Sequence, residues 1–96
     1  MTMAIGILTL HLMIQGCSSL KEKRSRIKPL IARLHREFDI SVAETDHQDA
    51  WQQAVLECAL VCNDRGHTQQ MLQKVCNWIE TYWPDVSLIE SKIELI

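Results

Sequence analysis

Ninety-six residues, 47% apolar and 23% charged, predict one globular domain (residues 1–96) with a single core and leave no room for a low-complexity tract or flexible linker. Residues 1–14 form the longest uncharged apolar stretch near the start. Gly6, Thr9 and His11 interrupt it and no basic leader precedes it, which excludes a signal peptide or membrane span there. The net charge of -2 hides an uneven distribution. Residues 17–38 hold seven basic side chains against two acidic ones, or +5, and the remainder holds three against ten, or -7.

From residue 3 to 14 the chain reads as a strand whose even side, Leu8, Leu10, Leu12 and Ile14, faces a core, with Gly16 ending it. Ser19-Leu20-Lys21-Glu22 has the form of a reciprocal N-terminal cap, in which the serine oxygen accepts an amide and Glu22 reaches back. Leu20, Ile27, Leu30, Ile31, Leu34 and Phe38 then recur at helical spacing. Pro29 interrupts that helix, as a kink or as a break between a separate turn and a shorter helix; the shared phase of Leu20, Ile27 and Leu34 favours the kink.

Residues 40–47 and 52–63 read as two further strands joined tightly through Gln48-Asp49-Ala50-Trp51. On the second of these, Ala54, Leu56, Cys58, Leu60 and Cys62 form an apolar face. Asp64 caps a second helix with a core stripe drawn from Met71, Leu72, Val75, Ile79 and Tyr82. Pro84-Asp85 stops it, and residues 86–96 close the chain as a strand. The order predicts an α+β, ferredoxin-like βαββαβ fold: a four-stranded antiparallel sheet with two helices on one face, and the first and third strands central. The other sheet face carries Ile5, Ile7, His11, Met13, Val55, Ala59 and Val61, apolar enough for a surface to predict a homodimer or a ligand surface.

Cys17, Cys58, Cys62 and Cys76 contain no Cys-x-x-Cys pair, and Cys58 and Cys62 lie about 13 Å apart along a strand. Reduced thiols and a cytoplasmic setting follow. Lys21, Lys23, Arg24, Arg26, Lys28, Arg33 and Arg36 are the candidate anion- or RNA-binding set; a solvated helix face accounts for the same charges. Lys23 projects close to the apolar stripe and has to snorkel out of it. Low aromatic content and the lack of an interleaved stacking platform weigh against nucleic acid.

Asp46, His47, Gln48, Asp49 and Trp51 form a second candidate cluster, as a ligand or partner hairpin; turn chemistry explains them equally well. Trp51 is expected to pack over that hairpin with its indole amide on a turn carbonyl. His67 near Cys62 lacks an orienting partner, and Trp78 and Trp83 are read as anchors of the second helix. No phosphate-binding glycine loop, dinucleotide fingerprint or nucleophile elbow occurs, so no cofactor, metal ligand or catalytic residue is assigned.

Ser19-Leu20-Lys21-Glu22-Lys23-Arg24-Ser25, with Leu30-Ile31-Ala32-Arg33-Leu34, Ser41-Val42-Ala43-Glu44, His47-Gln48-Asp49-Ala50-Trp51-Gln52-Gln53-Ala54 and Asn63-Asp64-Arg65, resembles the YlxP-like family of small bacterial proteins of unknown function. The resemblance runs in order along nearly the whole chain. It implies a ferredoxin-like fold, a role near the ribosome and no established catalytic residue. Pro29 and Cys62, where serine is usual, depart from its pattern. The leading expectation is therefore a non-enzymatic binding protein that docks ribosomal RNA or a ribosomal protein through its first helix. The alternative is a dimeric small-ligand-binding or regulatory domain using the open sheet face.

Overall fold

The computed structural model describes residues 3–96; residues 1 and 2, which the sequence places in the same domain, lie outside the described residues. The elements are β1 (Ala4–Met13), α1 (Leu20–Phe38), β2 (Ser41–Asp46), β3 (Gln53–Cys62), α2 (Arg65–Tyr82) and β4 (Ser87–Leu95). The strands form one antiparallel sheet in the order β2-β3-β1-β4, with β1 and β3 central. This is the expected α+β, ferredoxin-like arrangement.

Period-two alternation turns Leu8, Leu10 and Leu12 of β1 and Ala54, Leu56 and Cys58 of β3 into the core. There they meet Ile27, Leu30 and Leu34 of α1 and Leu72, Val75, Cys76 and Ile79 of α2, so both helices cover the same face. All four cysteines are free thiols, and burial pushes the Cys58 thiol up to about 12.

Ser19 caps α1 as expected, its oxygen accepting the Glu22 amide at 3.0 Å. Glu22 does not complete the reciprocal cap. Its carboxylate instead accepts from the Ser18 hydroxyl at 3.3 Å and meets Arg26 at 3.4 Å, because two nearby side-chain donors outcompete one backbone amide. The helix runs unbroken through Pro29, and Ile27, Leu30 and Leu34 stay buried on either side of it, so a separate leading turn is ruled out. Asp39 in the left-handed region (φ 51°) ends it, its amide donating to the His35 carbonyl at 3.1 Å.

Asp64 caps α2 with bonds from Gly66 and His67. The core stripe of α2 is rolled away from expectation. Tyr82 is 66% exposed and Met71 only half-buried, while Thr68 and Cys76 take the core positions. Gly6 is the physical reason: a Cβ there would sit 2.5 Å from Thr68 Cγ2 and 2.7 Å from Leu72 Cδ1. The missing side chain lets α2 rest on β1 and turns its Thr68–Leu72 side inward.

Each edge strand carries an irregularity. Register slips between Glu44 and Asp46 on β2, leaving Thr45 unpaired, and opposite His11 and Leu12 on β4, where Ile89 is pushed out. The open sheet face is less apolar than expected. Glu57 of β3 and Glu90, Lys92 and Glu94 of β4 share it with the predicted apolar residues, which are half-buried apart from the exposed Val61. Trp51 is 52% exposed and bonds no turn carbonyl among the described residues. The His47 carbonyl already accepts from Ala50 at 3.0 Å and from a lysine.

Gly6→Ala is expected to cost about 1–3 kcal/mol, since backbone faces the flexible end of one side chain and the branched end of another. Adding Thr68→Ser removes one of the two obstructing methyls and should return part of that loss. Urea midpoints of wild type, single and double variants measure it; an unchanged midpoint for Gly6→Ala would show that α2 does not bear on this position.

Candidate functional site

Helical periodicity decides what happens to the basic cluster. Lys23 falls within the same stripe as Ile27, Leu30 and Leu34, and its side chain is 2% exposed. Strand alternation meanwhile puts Val42 and Glu44 of β2 on the helix-facing side, opposite Cys58 and Leu56. The two periodicities bring opposite charges together: Lys23 Nζ lies 2.7 Å from Glu44 Oε2. Nζ also donates to the His47 carbonyl at 2.7 Å. This aligned donation goes to the carbonyl; the carboxylate makes a close ion contact without an aligned hydrogen bond. Lys23 thus does not snorkel, and it is not part of an exposed cationic face. It binds the β2–β3 loop to α1.

That loop is shaped around the lysine. His47 takes a left-handed backbone (φ 58°), Asp46 Oδ1 accepts the His47 amide at 2.7 Å, and Gln48 Nε2 donates to the Glu44 carbonyl at 3.1 Å. Hydrogen bonding from the His47 amide, and then from its ring, holds the Asp46 carboxyl below the usual carboxylate range. The His47 ring meets His11 edge-on at 5.4 Å. Asp46, His11 and Thr45 line a cleft of about 450 Å³ on the open sheet face, with Thr9, Val55, Glu57, Glu90 and Lys92. Among the described residues no three His, Cys, Asp or Glu side chains converge on a metal position. Gln48, Asp49 and Trp51 stand exposed along the loop outside this cleft.

Arg26 is occupied too. It forms a fork on Asp85 (Nε–Oδ2 3.0 Å, Nη2–Oδ1 3.0 Å) and donates to the backbone carbonyls of Asp85 and Gln15, each at 2.8 Å. It therefore fastens the loops before α1 and after α2 to each other, a use suited to the planar guanidinium. Arg33 pairs with Glu37 at 3.3 Å and lies over the Trp78 ring at 5.6 Å.

Four of the seven predicted cations remain exposed without an ion-pair partner among the described residues: Lys21, Arg24, Lys28 and Arg36. Lys21, Arg24 and Lys28 follow a single line at three- and four-residue spacing, about 10 Å long. His35 lies on that line, and with Lys28, Ile31 and Ala32 it borders a cleft above Val42 of the β2 edge. Arg36 stands about 60° further round the outer face. The flank turned toward α2 is the neutralised one.

Sequence reading missed a second assembly. Phe38 at the end of α1 and Trp78, Tyr82 and Trp83 at the end of α2 come together, Phe38 edge-on to Trp78 at 6.0 Å and Trp78 stacked with Trp83 at 5.8 Å. The residues are forty positions apart, so no local spacing announces the cluster. The i,i+4 spacing of Trp78 and Tyr82 was its only local trace.

Replacing Lys23 by Met strands Glu44 beside the core. Because Glu44 keeps 23% of its side chain in water, the expected cost is about 2–3 kcal/mol, below that of a fully buried pair. Lys23→Met combined with Glu44→Leu should recover most of it. A double-mutant cycle by chemical denaturation checks this, and additive single effects would show the pair is not coupled.

Comparison with known proteins bears on the fold and the family. The solved structure of a protein titled "De novo designed protein Foldit4" superposes with a TM-score of 0.54 at 10% identity, covering 97% of this chain and 96% of that one, which shows the fold alone. The "Uncharacterized protein YlxP" of Bacillus subtilis (strain 168) is 31% identical over 90 residues, 94% of this chain and 97% of that protein. The family model "Protein of unknown function (DUF503)" matches residues 5–93. With both helices and all but the outer ends of β1 and β4 inside that match, the chain belongs to the DUF503 family.

Proposed function

We propose that this protein is a cytoplasmic, non-enzymatic RNA-binding protein that meets structured RNA, with ribosomal RNA the leading candidate, along the exposed line Lys21, Arg24 and Lys28 of α1. The observation that supports this reading is the sorting of charge on one helix. The inward and α2-facing cations have their own carboxylates, whereas those on the outer flank have none among the described residues. Cations left without partners on a rigid scaffold are available to phosphates, and three of them would give a salt dependence of roughly -2 to -3 in log affinity against log salt. The sum of -7 outside residues 17–38 restricts approach to this one side.

Lys21→Gln, Arg24→Gln and Lys28→Gln together are expected to lower affinity for a structured RNA by about tenfold or more at low salt and to flatten its salt slope. Lys23 must be left in place, because its removal acts on folding. Co-sedimentation with ribosomal particles, with and without RNase, provides the cellular readout. Association that survives RNase would assign the line to an acidic ribosomal protein instead. Wild-type protein that stays in the supernatant at low salt would overturn the proposal.

A second reading rests on the 450 Å³ cleft of the open sheet face, where His11, Asp46 and Lys92 offer donors and acceptors to a small polar ligand in a dimeric regulatory domain. A ligand selective for this folded cleft would raise the melting temperature in a thermal-shift screen, and His11→Ala would abolish the shift. A screen without a shift removes this reading and leaves the RNA reading standing.

A further inference from the structure

We infer that the aromatic cleft between the C-terminal turns of α1 and α2 holds an unpaired nucleobase. The inference rests on the RNA reading above and adds to it a recognition site on the opposite flank of the helix. Arg33, Glu37, Trp78, Tyr82 and Trp83 line a cleft of about 520 Å³. Two of these residues carry buried donors, Arg33 Nε and Trp83 Nε1, that have no acceptor among the described residues. Leaving a buried N–H unpaired is unfavourable, so a small shift of the Arg33 or Trp83 side chain that opens these donors to an entering acceptor would be rewarded.

Three features of the cleft select the occupant. Flat faces are offered by Tyr82, 66% exposed, and by the Arg33 guanidinium, held 5.6 Å from the centroid of the Trp78 ring. Bases that are not paired in RNA stack on such aromatic and guanidinium planes. Glu37 lines the same cleft and bonds Arg33, so its negative charge opposes an entering phosphate or carboxylate while leaving an acceptor for a base N–H. Positive charge stands just outside. Lys74 borders an adjoining cleft of about 280 Å³ with Phe38, Trp78 and Tyr82, and Arg36 lies one turn beyond Arg33.

Geometry also joins this cleft to the proposed phosphate line. From Lys28, Arg36 lies about 80° further round α1 and about 12 Å along its axis, and Arg33 is about 60° beyond it. A strand whose phosphates follow Lys21, Arg24 and Lys28 could cross the outer face of the helix at Arg36 and place a base between the aromatic rings.

The test uses the full chain carrying Trp51→Phe, so that tryptophan emission reports Trp78 and Trp83 alone. Two probes are titrated: a hairpin RNA with an unpaired uridine loop, and the same hairpin with an abasic loop. The uridine loop should quench the emission and bind about fivefold or more tightly than the abasic one. Trp83→Phe keeps an aromatic ring and removes the N–H; Arg33→Lys keeps the charge and removes the fork. Each should shrink the difference between the probes while leaving abasic binding unchanged. Equal binding of both hairpins, or a difference that neither variant alters, overturns the cleft and leaves the Lys21–Arg24–Lys28 line intact. If the glutamine triple variant binds both hairpins as wild type does while their difference persists, the line fails and the cleft stands. Quenching by an acidic peptide in place of either hairpin would assign the cleft to a protein and also overturn it.

Discussion

The contact of Lys23 with Glu44 and the His47 carbonyl is the constraint around which this side of the molecule is organised. A helix period and a strand period each deliver one charge to the same interior face, where neither would be tolerated alone. The lysine then does more than neutralise a carboxylate. By taking the His47 carbonyl it fixes the point where the chain leaves β2, and the left-handed residue at that point determines how the loop returns to β3. An apolar residue at Lys23 would fill the same stripe but would leave that carbonyl and Glu44 without their cation. Packing alone would not specify the loop.

The dense basic run in the sequence is thus two populations with different work. Lys23, Arg26 and Arg33 hold the structure together: one joins helix to loop, one joins two loops across the base of α1, and one joins α1 to the aromatic end of α2. Lys21, Arg24, Lys28 and Arg36 have no such task. A count of charge along the chain cannot separate these groups, since Lys23 and Arg24 are neighbours in sequence and lie about 100° apart on the helix. Only the position of the core stripe separates them. Residues from outside that stretch, Glu44 and Asp85, then convert a nominal charge of +5 into a smaller and more localised field.

Much of the architecture was legible in advance because periodic signals and caps are local. The alternation of β1, the stripe through Leu30 and Leu34, Ser19 and Asp64 as caps, and the element order all rest on residues within a few positions of one another. What escaped is pairwise and distant. Gly6 lets the Thr68–Leu72 side of α2 rest on β1 while Tyr82, at the far end of the helix, stays outside the core, an effect that requires knowing which helix residue lies over a glycine more than sixty positions earlier. Charges on β4 made the open sheet face more mixed than expected, because which of its residues lie on that face depends on a register that contains a slip. The aromatic platform, judged absent from composition, is assembled from the ends of two helices. Five percent aromatic content is enough when tertiary structure gathers most of it at one corner.

The slips at Thr45 and Ile89 occur on the two outermost strands of the sheet. A regular outermost strand is a template onto which another molecule can add by backbone pairing, and repeated addition yields fibres. Here both borders are locally wrenched out of the flat pleat, so lateral growth is discouraged at each end. Any contact between copies is consequently directed away from the strand borders and toward side-chain surfaces.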